Sequence, residues 1–155
     1  MTEVLEIKLL TEEEACELAV RAVSLWPCAH GRPQLVMHRE NTVFRVRTDN
    51  GDAAMRLHRA GYHDQSEISS ELAWMAYLKD QGIPVPAPIA TRLGDLTASV
   101  QTGRHAPRII DMLTWLDGEP LGKSGVPLPR PAKENVRIFR ELGRTMALFH
   151  SASDA

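Results

Sequence analysis

Thr42-Val-Phe-Arg-Val-Arg-Thr-Asp-Asn-Gly-Asp-Ala-Ala-Met-Arg-Leu-His-Arg59 reads as two runs of period two joined by a turn. Thr42 to Thr48 is rich in β-branched, aromatic and Arg residues, and Ala53 to Arg59 resumes the pattern, so the segment predicts an antiparallel hairpin. Asp49-Asn50-Gly51 supplies the turn, whose positive-φ positions suit Asn and Gly. Side chains alternate along a strand. Ala54 and Arg56 therefore share one face of the second strand, and Met55 and Leu57 take the other.

Working outward, Gln34 to Arg39 is a further run of period two. Upstream, Thr11 and Glu14 form a capping box, and Ala15, Leu18, Ala19, Ala22 and Val23 follow at helical spacing. Trp26-Pro27 closes that segment, which predicts a helix over about 11–25. Downstream, the helical period returns over 64–81. Asp64 or Ser66 is placed to cap it, Ile68, Leu72, Met75 and Ala76 make one apolar face, and Gly82 stands where a C′ glycine belongs. Ile83-Pro-Val-Pro-Ala-Pro88 must be extended. Two strand candidates flank Gly94-Asp95, and a third covers about 108–116. The Pro- and Gly-rich stretch 117–131 reads as a linker, followed by a helix over about 132–151. Strands that alternate little with helices predict an α+β fold around an antiparallel sheet of about five strands.

Composition sets the outer bounds. The chain has 155 residues, 43% hydrophobic and 25% charged, with a net charge of −2. This is the balance of a soluble globular protein, one domain or a small domain plus part of another, with no charge bias toward nucleic acid or an anionic membrane. Cys16 and Cys28 have no metal-ligand spacing and suit a reducing compartment. The start, Met-Thr-Glu-Val-Leu-Glu, lacks a signal-peptide pattern, and the expected location is cytoplasmic. Arg39, Arg45, Arg47, Arg56 and Arg59 cluster on the hairpin without the aromatic interleaving of a nucleic-acid face. They read as a solvated face. His38, His58, His63, His105 and His150 show no metal spacing and read as surface or packing residues.

Four segments, in this order and spacing, resemble the phosphotransferase family of aminoglycoside, choline and type II homoserine kinases. They are Glu40-Asn-Thr-Val-Phe-Arg-Val46, Ala54-Met-Arg-Leu-His-Arg59, Ser70-Glu-Leu-Ala-Trp-Met75 with Gly82-Ile-Pro-Val-Pro86, and Trp115-Leu-Asp-Gly-Glu-Pro-Leu121. The resemblance covers about 30–150. It implies a protein-kinase-like small lobe over 1–116, a linker over 117–131, and over 132–155 the first helix of a larger lobe. It implies ATP as the phosphate donor, a small-molecule hydroxyl acceptor, and neither a nucleic-acid nor a membrane partner. Ala53-Ala54-Met55-Arg56 matches the Val-Ala-Ile-Lys strand of kinases. Ala54 would leave room for adenine, Arg56 would reach the α- and β-phosphates, and Glu71 would orient Arg56. Arg replaces the usual Lys, and its planar fork can take phosphate oxygens two at a time. Asn41 and Thr42 occupy the place of the glycine-rich loop, and Leu113 and Trp115 lie in the segment that would meet the adenine edge.

The same resemblance implies that the catalytic Asp and the magnesium ligands belong to the larger lobe, after the helix carrying Leu142-Gly-Arg-Thr-Met-Ala-Leu-Phe-His150. No catalytic or metal residue is therefore expected within these 155 residues. The expected function is the ATP-binding part of a small-molecule kinase. A non-catalytic nucleotide-binding or interaction module derived from such a lobe is the alternative. The stripe Val136, Phe139, Leu142, Met146 and Phe149 on the last helix predicts self-association or docking.

Overall fold

The computed structural model describes residues 9–103 and 105–154. The segment read above for a signal peptide lies outside them, as does the side chain of His105. The elements are α1 (Glu12–Ala22), β1 (Ala29–His38), β2 (Thr42–Thr48), β3 (Gly51–Leu57), α2 (Gln65–Asp80), β4 (Thr97–Thr102), β5 (His105–Thr114) and α3 (Ala132–Ser153). The five strands form one antiparallel sheet in the order β1-β2-β3-β5-β4. The fold is α+β.

One face of the sheet is dry. Phe44 and Val46 of β2, Ala53, Met55 and Leu57 of β3, and Ile110 and Met112 of β5 pack against Ala15, Leu18, Ala19 and Ala22 of α1. Each large side chain sealed in this way contributes roughly 1.5–3 kcal/mol. α1 starts in the expected capping box, with the Glu14 N–H donating to Thr11 Oγ1 and the Thr11 N–H to Glu14 Oε2. It stops at Ala22 and tightens into a 3-10 turn over Val23–Leu25, short of the single helix to residue 25. Trp26 follows, buried in the same cluster, and its indole N–H donates to the carbonyl of Ile89 at 2.8 Å.

The other face carries α2. Ile68 and Leu72 meet Leu113 of β5, with Met75, Leu96 and Ile109 around them. Asp64 caps the helix, exchanging bonds with Glu67. At the far end the Gly82 N–H bonds the carbonyl of Lys79, the Ile83 N–H bonds that of Leu78, and Gly82 sits at φ 77°. These two bonds make a Schellman cap. Leu78, Ile83 and Val85 then form a small cluster that receives Phe149 and Ala152 of α3.

Three local expectations change. Of the two strands expected around Gly94-Asp95, only the one after it forms. Pro84, Pro86 and Pro88 have no N–H to give a ladder, so the preceding segment meets β5 through a single bridge, Pro88 to Leu113. β1 begins at Ala29, earlier than Gln34, with irregular register between His30 and Gln34. In the hairpin turn Gly51 alone has positive φ, at 110°, and Asn50 does not. Thr48 Oγ1 takes the Asn50 N–H and donates to the Gly51 carbonyl instead.

Candidate functional site

On the α2 side of the sheet, alternation lines up the even residues of β3. Ala54 lies between Arg45 of β2 and Leu113 of β5, and Arg56 lies between Val43 and Asp111. Beyond Ala54, Asp52 is met by Trp115, whose N–H donates to the Asp52 carbonyl at 3.0 Å. A row of unlike chemistry results: an aromatic end at Trp115, a small apolar middle at Ala54, and a cation at Arg56.

The cation is held on two sides. Arg56 Nε and Nη2 donate to Asp111 Oδ1 and Oδ2 at 2.8 and 2.7 Å, a fork on both oxygens of one carboxylate. Arg56 Nη1 donates to Glu71 Oε1 at 2.8 Å. The side chain of Asp111 has no exposure, that of Arg56 is 17% exposed and that of Glu71 44%. His58, buried after the end of β3, brings Nε2 to within 2.7 Å of Asp111 Oδ2. Burial favours a neutral Asp111, but the hydrogen bonds from His58 and Arg56 outweigh it and hold the carboxyl below its ordinary value. An ionised carboxylate only accepts, so His58 Nε2 carries the proton of that bond. Arg56 is likewise desolvated, and the two carboxylates more than compensate by raising its pKa.

At the aromatic end, the guanidinium of Arg45 lies 4.9 Å from the centroid of the Trp115 ring, in cation–π range. Arg45 Nε also donates to Asp52 Oδ2 at 2.7 Å. Arg45 and Arg56 are each paired with a carboxylate; Arg45 stays 45% exposed, on the solvated face expected of the hairpin arginines, whereas Arg56 is 17% exposed.

The structure brings together Ala54, Arg56, Glu71, Leu113 and Trp115. It does not bring the side chain of Thr42 to them. Thr42 stands opposite Leu57 on the α1 side, buried, with its hydroxyl 2.9 Å from His38 Nδ1. The parity that exposes Arg56 on one face sends Thr42 to the other. Asn41 Oδ1 accepts the Arg59 N–H at 3.3 Å and so ties the β1–β2 turn to the end of β3. The Leu113 side chain packs into the cluster under α2. The backbone at 112–115 is largely committed to the sheet: the Met112 carbonyl accepts from Ile89, the Thr114 N–H donates to Ala87, and the Trp115 N–H to Asp52. Leu116 is the first residue past these bonds.

Two members of the site, Asp111 and His58, were missed in the sequence. His58 read as surface or packing, yet it is buried and bonded to Asp111. The available signal was a lone Asp inside the apolar run Ile109-Ile-Asp-Met-Leu113, which calls for a cation across the sheet. Among the described residues, no three His, Cys, Asp or Glu side chains come together to hold a metal. No helix of the described residues is long and apolar enough to cross a membrane.

Residues 34–155 match the family model described as the phosphotransferase enzyme family, APH. A homoserine kinase of Parvibaculum lavamentivorans is 33% identical over 113 residues, which cover 73% of this chain and 30% of that protein. A microcompartment-associated aminopropanol kinase superposes with a TM-score of 0.56 at 26% identity, over 64% of this chain and 31% of its own. An amicoumacin kinase in complex with AMP-PNP and Ca2+ gives 0.56 at 16% identity, over 70% and 32%. At that identity the likeness concerns the fold alone. The chain spans about a third of the length of these proteins.

Proposed function

Since this chain belongs to the phosphotransferase enzyme family through residues 34–155, we propose that it forms the ATP-binding lobe of a kinase that phosphorylates a small hydroxyl-bearing molecule. One observation carries this reading. A guanidinium fixed by carboxylates on both sides stands next to the small residue Ala54 on the face of the sheet that α2 borders. A nucleotide needs such a row: space for a flat ring, then a cation for the α- and β-phosphates. The adenine lies against Ala54, between Trp115 and Arg56, with its edge toward the backbone beyond Thr114. Asn41 covers the phosphates from the β1–β2 turn through backbone and amide groups. Thr42 acts there through its backbone only.

The transfer step itself belongs to a protein of the relatives' length. In this reading the acceptor and magnesium contacts come from outside the described residues. The two relatives above 25% identity are named for homoserine and aminopropanol. Both are amino alcohols, and that is the acceptor class we assign. Cys16 and Cys28 are free thiols, which accords with a cytoplasmic setting. The exposed stripe of α3 gives the non-catalytic alternative its one support, because it offers this chain a surface for association with itself.

Calorimetric titration of ATP with Mg2+ into the 155-residue chain tests the nucleotide site. Arg56→Gln should weaken binding by about tenfold or more, the loss of a charge-assisted contact. Ala54→Phe should weaken it by filling the ring's place. Wild-type affinity in both variants would overturn the reading.

A further inference from the structure

His58 is a buried ring with a single hydrogen bond. Its Nε2 donates to Asp111 Oδ2 at 2.7 Å, while Nδ1, sealed from water, has no partner among the described residues. A buried polar atom left unsatisfied costs stability, and an apolar side chain of similar size would avoid that cost. Packing alone therefore does not account for an imidazole at this position. Its Nε2–H does.

The Asp111 carboxylate bonds only that ring and Arg56. Oδ1 accepts from Arg56 Nε, and Oδ2 accepts from Arg56 Nη2 and His58 Nε2. Its strand, β5, is paired with β3 on one side and β4 on the other, so the carboxylate is a fixed point of the sheet.

Arg56 has five N–H groups. Asp111 takes one from Nε and one from Nη2, and Glu71 takes one from Nη1. Two remain, one on each terminal nitrogen, and the side chain is 17% exposed. Phosphate oxygens can meet these two while both carboxylates stay bound. An ammonium has only three N–H groups. Serving both Asp111 oxygens and Glu71 in the same way would use all three.

We infer that Asp111 and His58 are positioning residues of the nucleotide site. Asp111 fixes the Nε edge of Arg56 to β5, and Glu71 keeps its hold on Nη1 from α2. The N–H groups left on Nη1 and Nη2 are thereby aimed at phosphate oxygens. His58 acts one step further back, its Nε2–H holding the Asp111 carboxylate in the orientation that Arg56 needs. This rests on the reading of Arg56 as the phosphate-binding cation. It adds that β5 as well as α2 aims that cation, and that the pair on β5 makes arginine, not lysine, the residue that fits.

The test is titration of ADP with Mg2+, and separately of adenosine, into the full chain and its variants, followed by amide resonances. Asp111→Asn should weaken ADP by about tenfold and His58→Leu by a few-fold, with adenosine bound as in the wild type. Equal weakening of both ligands would mean a general loss of structure and would overturn the inference. His58→Gln carries an amide N–H near the place of Nε2, and it should bind ADP within about twofold of the wild type. The same loss in His58→Gln as in His58→Leu would overturn the role of the Nε2–H. Arg56→Lys should weaken ADP, and wild-type affinity there would overturn the requirement for a fork. Arg56→Gln separates the inference from the reading beneath it. Unchanged ADP affinity in that variant would overturn both. A loss there, with wild-type affinity in Asp111→Asn and His58→Leu, would overturn the inference alone. If Asp111→Asn does not fold, the two His58 variants decide.

Discussion

A carboxylate sealed from water keeps its charge only while donors surround it, and Asp111 has three: Arg56 Nε, Arg56 Nη2 and His58 Nε2. Its folded pKa lies below the ordinary 3.8 because those donors outweigh burial. A depressed carboxyl stabilises the fold fully above its unfolded value, and the contribution is lost as pH falls through the folded one. Thermal unfolding followed on acidification should therefore show a falling midpoint below about pH 4, and Asp111→Asn should flatten that part of the profile. An unchanged profile would mean that Asp111 is not ionised in the fold. Asp111→Ala is harsher, because it leaves Arg56 desolvated with Glu71 alone. The expected loss by denaturant titration is near the lower end of about 3–5 kcal/mol, since Arg56 retains one partner and some water. At this scale the sequence was half legible. The parity of Ala53-Ala-Met-Arg56 set Arg56 on the face away from Met55 and Leu57, the kinase resemblance implied Glu71 as its partner, and the two do touch. Asp111 and His58 were not foretold. Their place depends on β5 lying beside β3, and a sheet order of β1-β2-β3-β5-β4 leaves no trace in local periodicity.

Elements end where their caps place them, and both ends of α2 are written into single residues. Asp64 and Glu67 close the start, and Gly82 closes the finish at φ 77°. A Cβ at Gly82 would meet nothing within 4 Å. The cost of Gly82→Ala is therefore backbone strain alone, roughly 1–2 kcal/mol. Denaturant titration should find that loss. A neutral outcome would show that the chain can leave α2 by another path without disturbing Ile83 and Val85. Caps and periods made α1 and α2 readable. The segment between α2 and β4 was less so, because its backbone bonds go to unrelated parts of the chain. The Arg92 N–H reaches the carbonyl of Leu25, and the Thr91 N–H turns back to Asp95. No pattern of apolar and polar residues encodes such bonds.

At the scale of the molecule, α3 presents an apolar stripe that the described residues leave exposed. α3 touches the rest through its last two turns, where Phe149 lies 6.3 Å from Trp74, centroid to centroid, and Ala152 joins the cluster of Leu78, Ile83 and Val85. Earlier on the helix, Val136, Phe139, Leu142 and Met146 are each about half exposed. Surfaces of this kind are usually met by a partner. The 155-residue chain should show a sedimentation coefficient that rises with concentration, and Leu142→Glu with Met146→Glu should abolish the rise without lowering the unfolding midpoint. A constant, monomeric value for the unaltered chain would refute self-association. The sheet, in turn, is a partition with unlike sides. The face toward α1 is constrained by volume, since Phe44, Met55 and Met112 fill a closed space. The face toward α2 is constrained by charge, since Arg56 and Asp111 must balance each other there. Neighbouring residues of β3 are therefore subject to different kinds of selection. Over generations Met55 can exchange only with residues of similar size, while Arg56, one position along the chain, can change only in company with Asp111, a residue 55 positions away.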